Sequence, residues 1–450
     1  MINLTLFYKK EEFHLLNKKT KLAQVIFSLM IIVSILGFAL AVVNFRNKKF
    51  NRDKTQIFSW WTGGGEAEGL DKLFELYQEE NPNTEIINAA VSGGGGVRAK
   101  AVLKSRMLGG NHPDSFQVHA GAELIENYVK TDLMYPVTDL LKQWGIKDKF
   151  NQQLLHWCSY QGDVYSIPIN VHRGNVLWYN RRVLRKYGIK PPTNLNQFLN
   201  ALKKLEKKSE VTPLALGDKN KWPATHLFET VLLSVLGPED YNELWNDRVR
   251  LARHRANWQE TTDFKDEEIK EAIKVFGKIL NYTNSNHASL NWQEGADLLA
   301  NKEAAFYVMG DWAEGYFKKK NLRLEYDFDW VTFPNSSDSF MAISDTFGFP
   351  KETANPEGTK AWLKLIASKK GQDAFNPIKG SIPSRLDADE SKYDAYLTDA
   401  IKDFSQQKLT PSVVHGSAAR PSFVVELIDI INQFVSERNI QNTHDRLKEI

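Results

Sequence analysis

The sequence predicts an α/β protein with mainly parallel sheets, gathered into two regions and preceded by an amino-terminal hydrophobic helix. Three observations carry that expectation. Short strand-like runs alternate with amphipathic helices, the order that builds parallel sheets. A long extended stretch with a proline in it, residues 162–180 (GDVYSIPINVHRGNVLWYN), suits a crossing between lobes better than a central strand. Residues 22–43 (LAQVIFSLMIIVSILGFALAVV) carry no charge, and as a helix they would reach about 33 Å, enough to cross a hydrocarbon layer.

In chain order, residues 1–41 read as a signal peptide cut after Ala39-Leu40-Ala41 or as an uncleaved anchor, and 42–54 as a linker. Lys9, Lys10, Lys18, Lys19 and Lys21 before the apolar run balance Arg46, Lys48, Lys49, Arg52 and Lys54 after it, so charge does not set its orientation. No cysteine follows the run, which excludes a lipid-anchored lipoprotein because there is no thiol to acylate. Residues 56–61 are strand-like and 62–65 form a glycine loop. A helix follows, with Leu70, Leu73, Phe74 and Tyr77 on one face and Asn81-Pro82 at its end. Residues 84–91 are extended, 93–96 turn, a helix runs to Leu108 before Gly109-Gly110, and 115–118 are extended again. In the second region, 227–236 is an apolar helix closed by Gly237, 270–280 an amphipathic helix, and 304–309 a strand ending in Gly310-Asp311-Trp312. Residues 345–350 and 379–383 offer two further crossings. Ligand-binding residues in such folds collect at the carboxyl ends of strands, where Trp60, Trp61 and His119 stand.

Charge is nearly balanced, 58 basic against 55 acidic residues, which gives no reason to expect a nucleic-acid partner. Hydrophobic residues at 42% and charged residues at 25% fit a packed globular protein rather than a disordered or polytopic one. A single cysteine, Cys158, rules out an intramolecular disulfide, an all-cysteine zinc site and a CxxC pair, and reads as a small buried apolar residue. Phosphate-loop, HExxH, GxSxG and GxGxxG signatures are absent from the sequence. The glycine run 93–96 lacks the Lys-Ser/Thr of a phosphate loop and reads as a plain turn. A glycosidase needs only two facing carboxylates, so that chemistry stays open as an alternative.

Twelve tryptophans stand out. Trp60 and Trp61 precede a glycine loop and Glu66. Trp222, Trp292 and Trp312 sit beside polar residues in KNKWPA, LNWQEG and GDWAE. An indole stacks on the C–H face of a pyranose while charged side chains bind its hydroxyls, so this context points to a sugar. The bland reading is that each ring is a core or rim residue.

Six motifs, SWWTGGGEAEGLDKL, GGGGVRAKAVLKSRMLGGNHPDSFQVHAGAEL, GDVYSIPINVHRGNVLWYN, AAFYVMGDWAE, KGSIPSR and PSVVHGSAAR, occur in this order from about Gln56 to the carboxyl terminus. They resemble the periplasmic glucose/mannose-type sugar-binding proteins of bacterial ABC importers, in solute-binding family 1. The resemblance implies a two-lobed periplasmic-binding-protein fold of the maltose-binding type, closing on a sugar by hinge bending with no cofactor and no turnover. One lobe would comprise 54–168 plus 346–380, the other 169–345 plus 381–450. By position, Trp60, Trp61 and Glu66 match cleft residues, and His119 matches a donor that is histidine or lysine in relatives. Trp292 matches the stacking tryptophan of the second lobe, and Trp222 a weaker aromatic position. Asp311, Lys379 and His415 match polar residues that hold hydroxyls, with Asp345 a further candidate. Otherwise Asp311 would cap the helix at Trp312, Lys379 would be a solvated loop charge, and His415 would bond a loop carbonyl. The relatives' WWTSGGE has serine where Gly63 stands here, and this leader is longer and more anchor-like than theirs. The implied function is a monomeric periplasmic component of a carbohydrate importer, which binds a glucose-like aldohexose and presents it to the membrane permease. It would touch the membrane through residues 22–43 if the leader stays uncleaved. The alternatives are an envelope glycoside hydrolase and a membrane-anchored sugar sensor.

Overall fold

The computed structural model describes residues 53–92, 96–208, 210–245 and 266–450. The apolar run 22–43 and glycines 93–95 lie outside the described residues. Among the described residues no helix is long and apolar enough to cross a membrane.

Strand β1 (Lys54–Phe58) leads through a loop into helix α1 (Gly64–Glu80), which buries Leu70, Leu73, Leu76 and Tyr77 and ends at Asn81, whose backbone N–H donates to the Tyr77 carbonyl. Strand β2 (Glu85–Asn88), helix α2 (Val97–Leu108) and strand β3 (Ser115–His119) repeat the unit. Residue 96 must be glycine twice over. Its φ is +82°, and a Cβ there would lie 2.9 Å from the Trp60 indole.

The next strands are the small pair β4 (Ser159–Tyr160) and β5 (Asp163–Val164), then β6 (Ser166–Pro168), β7 (Asn170–Arg173) and β8 (Val176–Asn180). Later come β9 (Thr212–Ala215), β10 (Ala304–Val308), β11 (Phe328–Thr332), β12 (Ser339–Ile343), β13 (Asp345–Gly348), β14 (Ile382–Pro383) and β15 (Lys408–Pro411). They form a five-stranded sheet β2-β1-β3-β13-β6 and two four-stranded sheets, β11-β8-β10-β9 and β14-β7-β12-β15. The sheets are mixed, not mainly parallel as expected. β1 runs parallel to β2 and β3, but β13 is antiparallel to both β3 and β6. The cause is topological: β6 and β13 are linked to the other sheets by direct extended crossings, and a parallel partner would need a helical return.

Two crossings join the five-stranded sheet to the β14-β7-β12-β15 sheet, and a third enters the latter from a helix. Only Ile169 separates β6 from β7, only Ser344 separates β12 from β13, and Gly380-Ser381 join a helix to β14. The crossings are pinned together. Ile169 N–H donates to the Asp345 carbonyl at 3.1 Å, Ser344 Oγ to the Asn170 carbonyl at 2.7 Å, and Asn376 Nδ2 to the Ile169 carbonyl at 3.0 Å. Aromatic packing fills the core on either side of them. Trp362 packs on Phe74, Tyr77 and Phe347, while Trp178 packs on Phe317, Phe328 and Tyr396. Cys158 is buried, as expected, and burial pushes its thiol up to about 12.

The second half carries helices α3 (Trp222–Leu244), α4 (Asp266–Leu280), α5 (Trp292–Ala300), α6 (Trp312–Lys319), α7 (Lys369–Lys379) and α8 (Pro421–Glu437). The apolar helix expected over 227–236 starts five residues earlier, so Trp222 occupies its first turn. Gly237 (φ +77°, ψ 168°) is non-helical and breaks the helix there, as expected, before a second helical stretch starts at Pro238.

Candidate functional site

A cavity of about 310 Å³ opens where the crossings meet. Its aromatic wall is built from element ends. Trp60 and Trp61 follow the carboxyl end of β1, while Trp222, Trp292 and Trp312 open α3, α5 and α6. Asn291 sets the start of α5 with a capping box, accepting from Glu294 N–H as the Glu294 carboxylate accepts from Asn291 N–H. The rings contact one another and at least three histidines. Trp60 lies 5.0 Å from the His119 ring, Trp222 lies 5.4 Å from His415, and Trp312 lies 5.2 Å from His415 and 5.3 Å from His172. Trp61 faces mostly inward, 4.8 Å from Phe375, and offers the cavity only an edge.

The polar wall is charged and internally paired. Gly65 lets α1 approach the end of α7, where a Cβ would fall 2.3 Å from the Ile378 carbonyl. That contact brings Glu66 to Lys379, Nζ to Oε1 at 2.8 Å, with Lys379 2% exposed and its Nζ 5.6 Å from the Trp61 ring centre. Asp345, the first residue of β13, accepts from Gln117 Nε2 at 2.7 Å and from Asn170 Nδ2 at 2.8 Å. Burial works to raise its carboxyl, but Lys379 foremost, with His119 and the Asn170 amide, outweighs burial and holds it below its ordinary value. It therefore presents an ionised acceptor to the cavity. His119 Nδ1 lies 3.0 Å from Glu123, which also takes Lys100 Nζ at 2.6 Å. Against the cost of burial, Lys100 and His119 bring the Glu123 carboxyl down to about 2.

Eight of the sequence-predicted residues line this cavity: Trp60, Trp61, Glu66 and His119 from the first half, Trp222, Trp292, Lys379 and His415 from later in the chain. Asp311 does not reach the wall. Its carboxylate is fully buried behind His172, where it takes His172 Nδ1, Arg173 N–H at 2.8 Å and Tyr396 Oη at 3.3 Å. Neither does it cap α6 with its side chain. Burial drives this pair toward neutral forms, with the His172 ring held well below its ordinary value and the Asp311 carboxyl well above. The expected hydroxyl-holding role of Asp311 is thus corrected to that of a support for His172.

His172, Trp312 and Gln293 line the cavity and were absent from the predicted set, whereas Asp345 was weighed and does line it. A signal for His172 was available: it is the one histidine in the crossing stretch 162–180. His415 is buried, with Nε2 unbonded. Burial first, then the neighbouring His226, His119 and Lys100, hold its ring well below the ordinary value, so it faces the cavity neutral. Among the described residues no cluster of three or more metal-ligating side chains occurs. Flat indole faces around a few fixed, partly ionised hydrogen-bonding groups suit a neutral polyhydroxylated ring.

The family profile for bacterial extracellular solute-binding proteins matches residues 63–373. An uncharacterized ABC transporter extracellular-binding protein of Pyrococcus horikoshii is 39% identical over 389 residues, spanning 86% of this chain and 84% of that protein. A probable sugar-binding periplasmic protein of Mesorhizobium japonicum is 30% identical over 390 residues, spanning 85% and 89%. The solved structure of a bacterial solute receptor with an exclusive preference for β-D-galactopyranose superposes with a TM-score of 0.75 at 18% identity, covering 89% of this chain and 98% of that one, which shows a shared two-lobed fold. On the family match and the identity to these relatives, the chain belongs to the bacterial extracellular solute-binding proteins of ABC importers, a family that binds solutes rather than transforming them.

Proposed function

We propose that this chain is the substrate-binding component of a carbohydrate importer and binds a monosaccharide, a glucose-like aldohexose, between lobes that close on it. The lobes would be 54–168 plus 346–380 and 169–345 plus 381–450, and the closed monomer, outside the cytoplasm, would present the sugar to the membrane permease. The observation that carries this reading is the cavity itself. At about 310 Å³ it lies at the small end of ligand sites, and it combines five indoles with the Lys379–Glu66 pair and the Asp345 carboxylate. The sugar-binding name of the Mesorhizobium relative and the galactopyranose preference of the structural neighbour support the same ligand class.

The energetics are ordinary. Micromolar affinity needs about −8 kcal/mol, near −0.7 per atom for an aldohexose of about 12 heavy atoms, within what non-covalent contacts supply. The hydrolase alternative is not favoured. A general acid must hold its proton near neutral pH, whereas Asp345 is held below its ordinary value. Titrating the protein with D-glucose, D-mannose, D-galactose, D-xylose and maltose, read by tryptophan fluorescence and calorimetry, tests the reading. One monosaccharide should bind at micromolar concentration with a fluorescence change. Binding of maltose alone would overturn the monosaccharide assignment, and binding of none of the five would overturn the sugar assignment.

A further inference from the structure

Behind the His415 wall lies a buried carboxylate that the site as described does not use. Glu229 sits in the middle of α3, fully buried. Its Oε1 accepts from Tyr241 Oη at 2.6 Å and from Val413 N–H. Its Oε2 accepts from Ser412 Oγ at 3.0 Å and Val414 N–H at 3.4 Å. Three of these four donors belong to the turn 412–417, which carries His415 into the cavity, and His415 N–H donates in turn to Ser412 Oγ at 3.3 Å. The far side of the same turn meets the first half of the chain. Glu123 N–H donates to the Gly416 carbonyl at 2.8 Å, Ala122 N–H to the Ser417 carbonyl at 3.2 Å, and a Cβ on Gly121 would lie 2.2 Å from the Ser417 oxygen. One carboxylate therefore fastens a turn that forms cavity wall on one face and a backbone contact with residues 121–123 on the other.

We propose that Glu229 is a positioning residue: in its ionised form it holds the 412–417 turn, and with it His415 and the contact to 121–123, in the arrangement that binds ligand. The hydrogen-bond set favours the charge. An ionised carboxylate accepts from all four donors, whereas a protonated one must donate, which reverses the bond to Tyr241 or Ser412, the two hydroxyls able to accept, and loosens the hold on the turn. Burial pushes the Glu229 carboxyl up to about 7 despite these donors, so the switch falls within a physiological range. At the start of α3, Asp218 accepts from Ala224 N–H and is also pushed up by burial to about 7, so the Gln variant and the exchange at the turn itself separate Glu229 from it. Burial and Glu229 raise the Tyr241 hydroxyl well above its ordinary value, burial lowers His226 on the same helix to about 4, and burial holds His415 well below its usual range. The helices packed on α3 meet it with aromatic contacts, Phe276 of α4 on Phe228 and Phe423 of α8 on Trp245. On β15, Lys408 is paired with Glu239 at the exposed end of α3.

The inference rests on the sugar reading only where His415 touches ligand, so its test has one arm without ligand. In the ligand-free full chain, amide exchange at Val413, Val414, Ala122 and Glu123, corrected for intrinsic pH dependence, should lose about tenfold protection between pH 8 and pH 6. Glu229→Gln, an isostere that cannot accept at its NH2, should show the low-protection level at both pH values. D-Glucose affinity of the wild type should fall about three- to tenfold over the same range, and the Gln variant should lose that pH step. Wild-type protection that does not change with pH would overturn the inference without any variant. So would a Gln variant with wild-type protection. Ser412→Ala, which removes one donor, should shift the midpoint of the protection step upward. An exchange pattern as expected together with no D-glucose binding would uphold the positioning role and count against the monosaccharide reading instead.

Discussion

Replacing Lys379 by methionine removes the cation on which both carboxylates of the cavity depend. Its Nζ is 2.8 Å from Glu66, and it is the foremost charge holding Asp345 ionised against burial. Two effects follow. A lost hydrogen bond between a charged group and a sugar hydroxyl costs about 1.5–3 kcal/mol, or roughly 10- to 150-fold in affinity. Breaking a buried ion pair costs about 3–5 kcal/mol of stability, and Glu66 is 19% exposed, so the lower end applies. The pH signature identifies the cause. In the wild type the Asp345 carboxyl is depressed, so it contributes stability above its unfolded value and loses it as pH falls through the folded one. Without Lys379, burial governs and the folded value rises, so the variant should become more stable on mild acidification, where Asp345 takes up a proton. Calorimetry with D-glucose at pH 7.5, together with thermal unfolding at pH 5.5 and 7.5, reads all three quantities. Unchanged affinity with an unchanged melting temperature at both pH values would refute the reasoning.

Two more predictions concern buried groups. Asp311→Ala should weaken sugar binding at least tenfold through a loosened His172, and should cost about 1–3 kcal/mol of stability because Arg173 N–H and His172 Nδ1 lose a buried acceptor. Calorimetry and melts on the Ala and Asn variants check this, and wild-type binding by the Ala variant would show that His172 needs no support. Glu123, with its carboxyl near 2 in the fold, should contribute about 3 kcal/mol that is fully present above pH 4.5 and lost as pH falls toward 2. Urea unfolding across that range should show a shallower acid loss for Glu123→Gln, and identical slopes would contradict the assignment.

The local elements were legible because their signals are local. The face Leu70, Leu73 and Tyr77, the stop at Asn81 and the apolar run beginning at Ala304 are matters of spacing along the chain, and the structure carries them as α1 and β10. Strand direction was not legible. Nothing near Thr346 announces that it pairs antiparallel with both Val118 and Pro168, since that follows from where the chain crosses. The tryptophans set beside polar residues stand at helix starts, Trp292 behind an Asn291 cap and Trp222 in the first turn of α3. Most of the cavity-lining residues followed from motif resemblance, yet Asp311 was expected at the wall, where His172 stands instead. The motif names the residue beside Trp312, but whether its carboxylate faces the cavity or the layer behind depends on His172, 139 positions away.

The crossings also divide the cavity by radius. Any rotation of one half against the other turns about the pinned segments at Ile169, Ser344 and Gly380, and an atom's displacement grows with its distance from that axis. Asp345, Lys379 and His172 lie within three residues of a crossing and would stay nearly still. Trp222 and Trp292, each more than 50 residues from a crossing in the chain, would belong to the part that swings, whereas the turn that carries His415 is bonded to residues 122 and 123. An incoming ring would first anchor its hydroxyls on a stationary charged floor. The indoles would then sweep over it, so the pivot side would set which epimer is admitted and the outer side how long it stays.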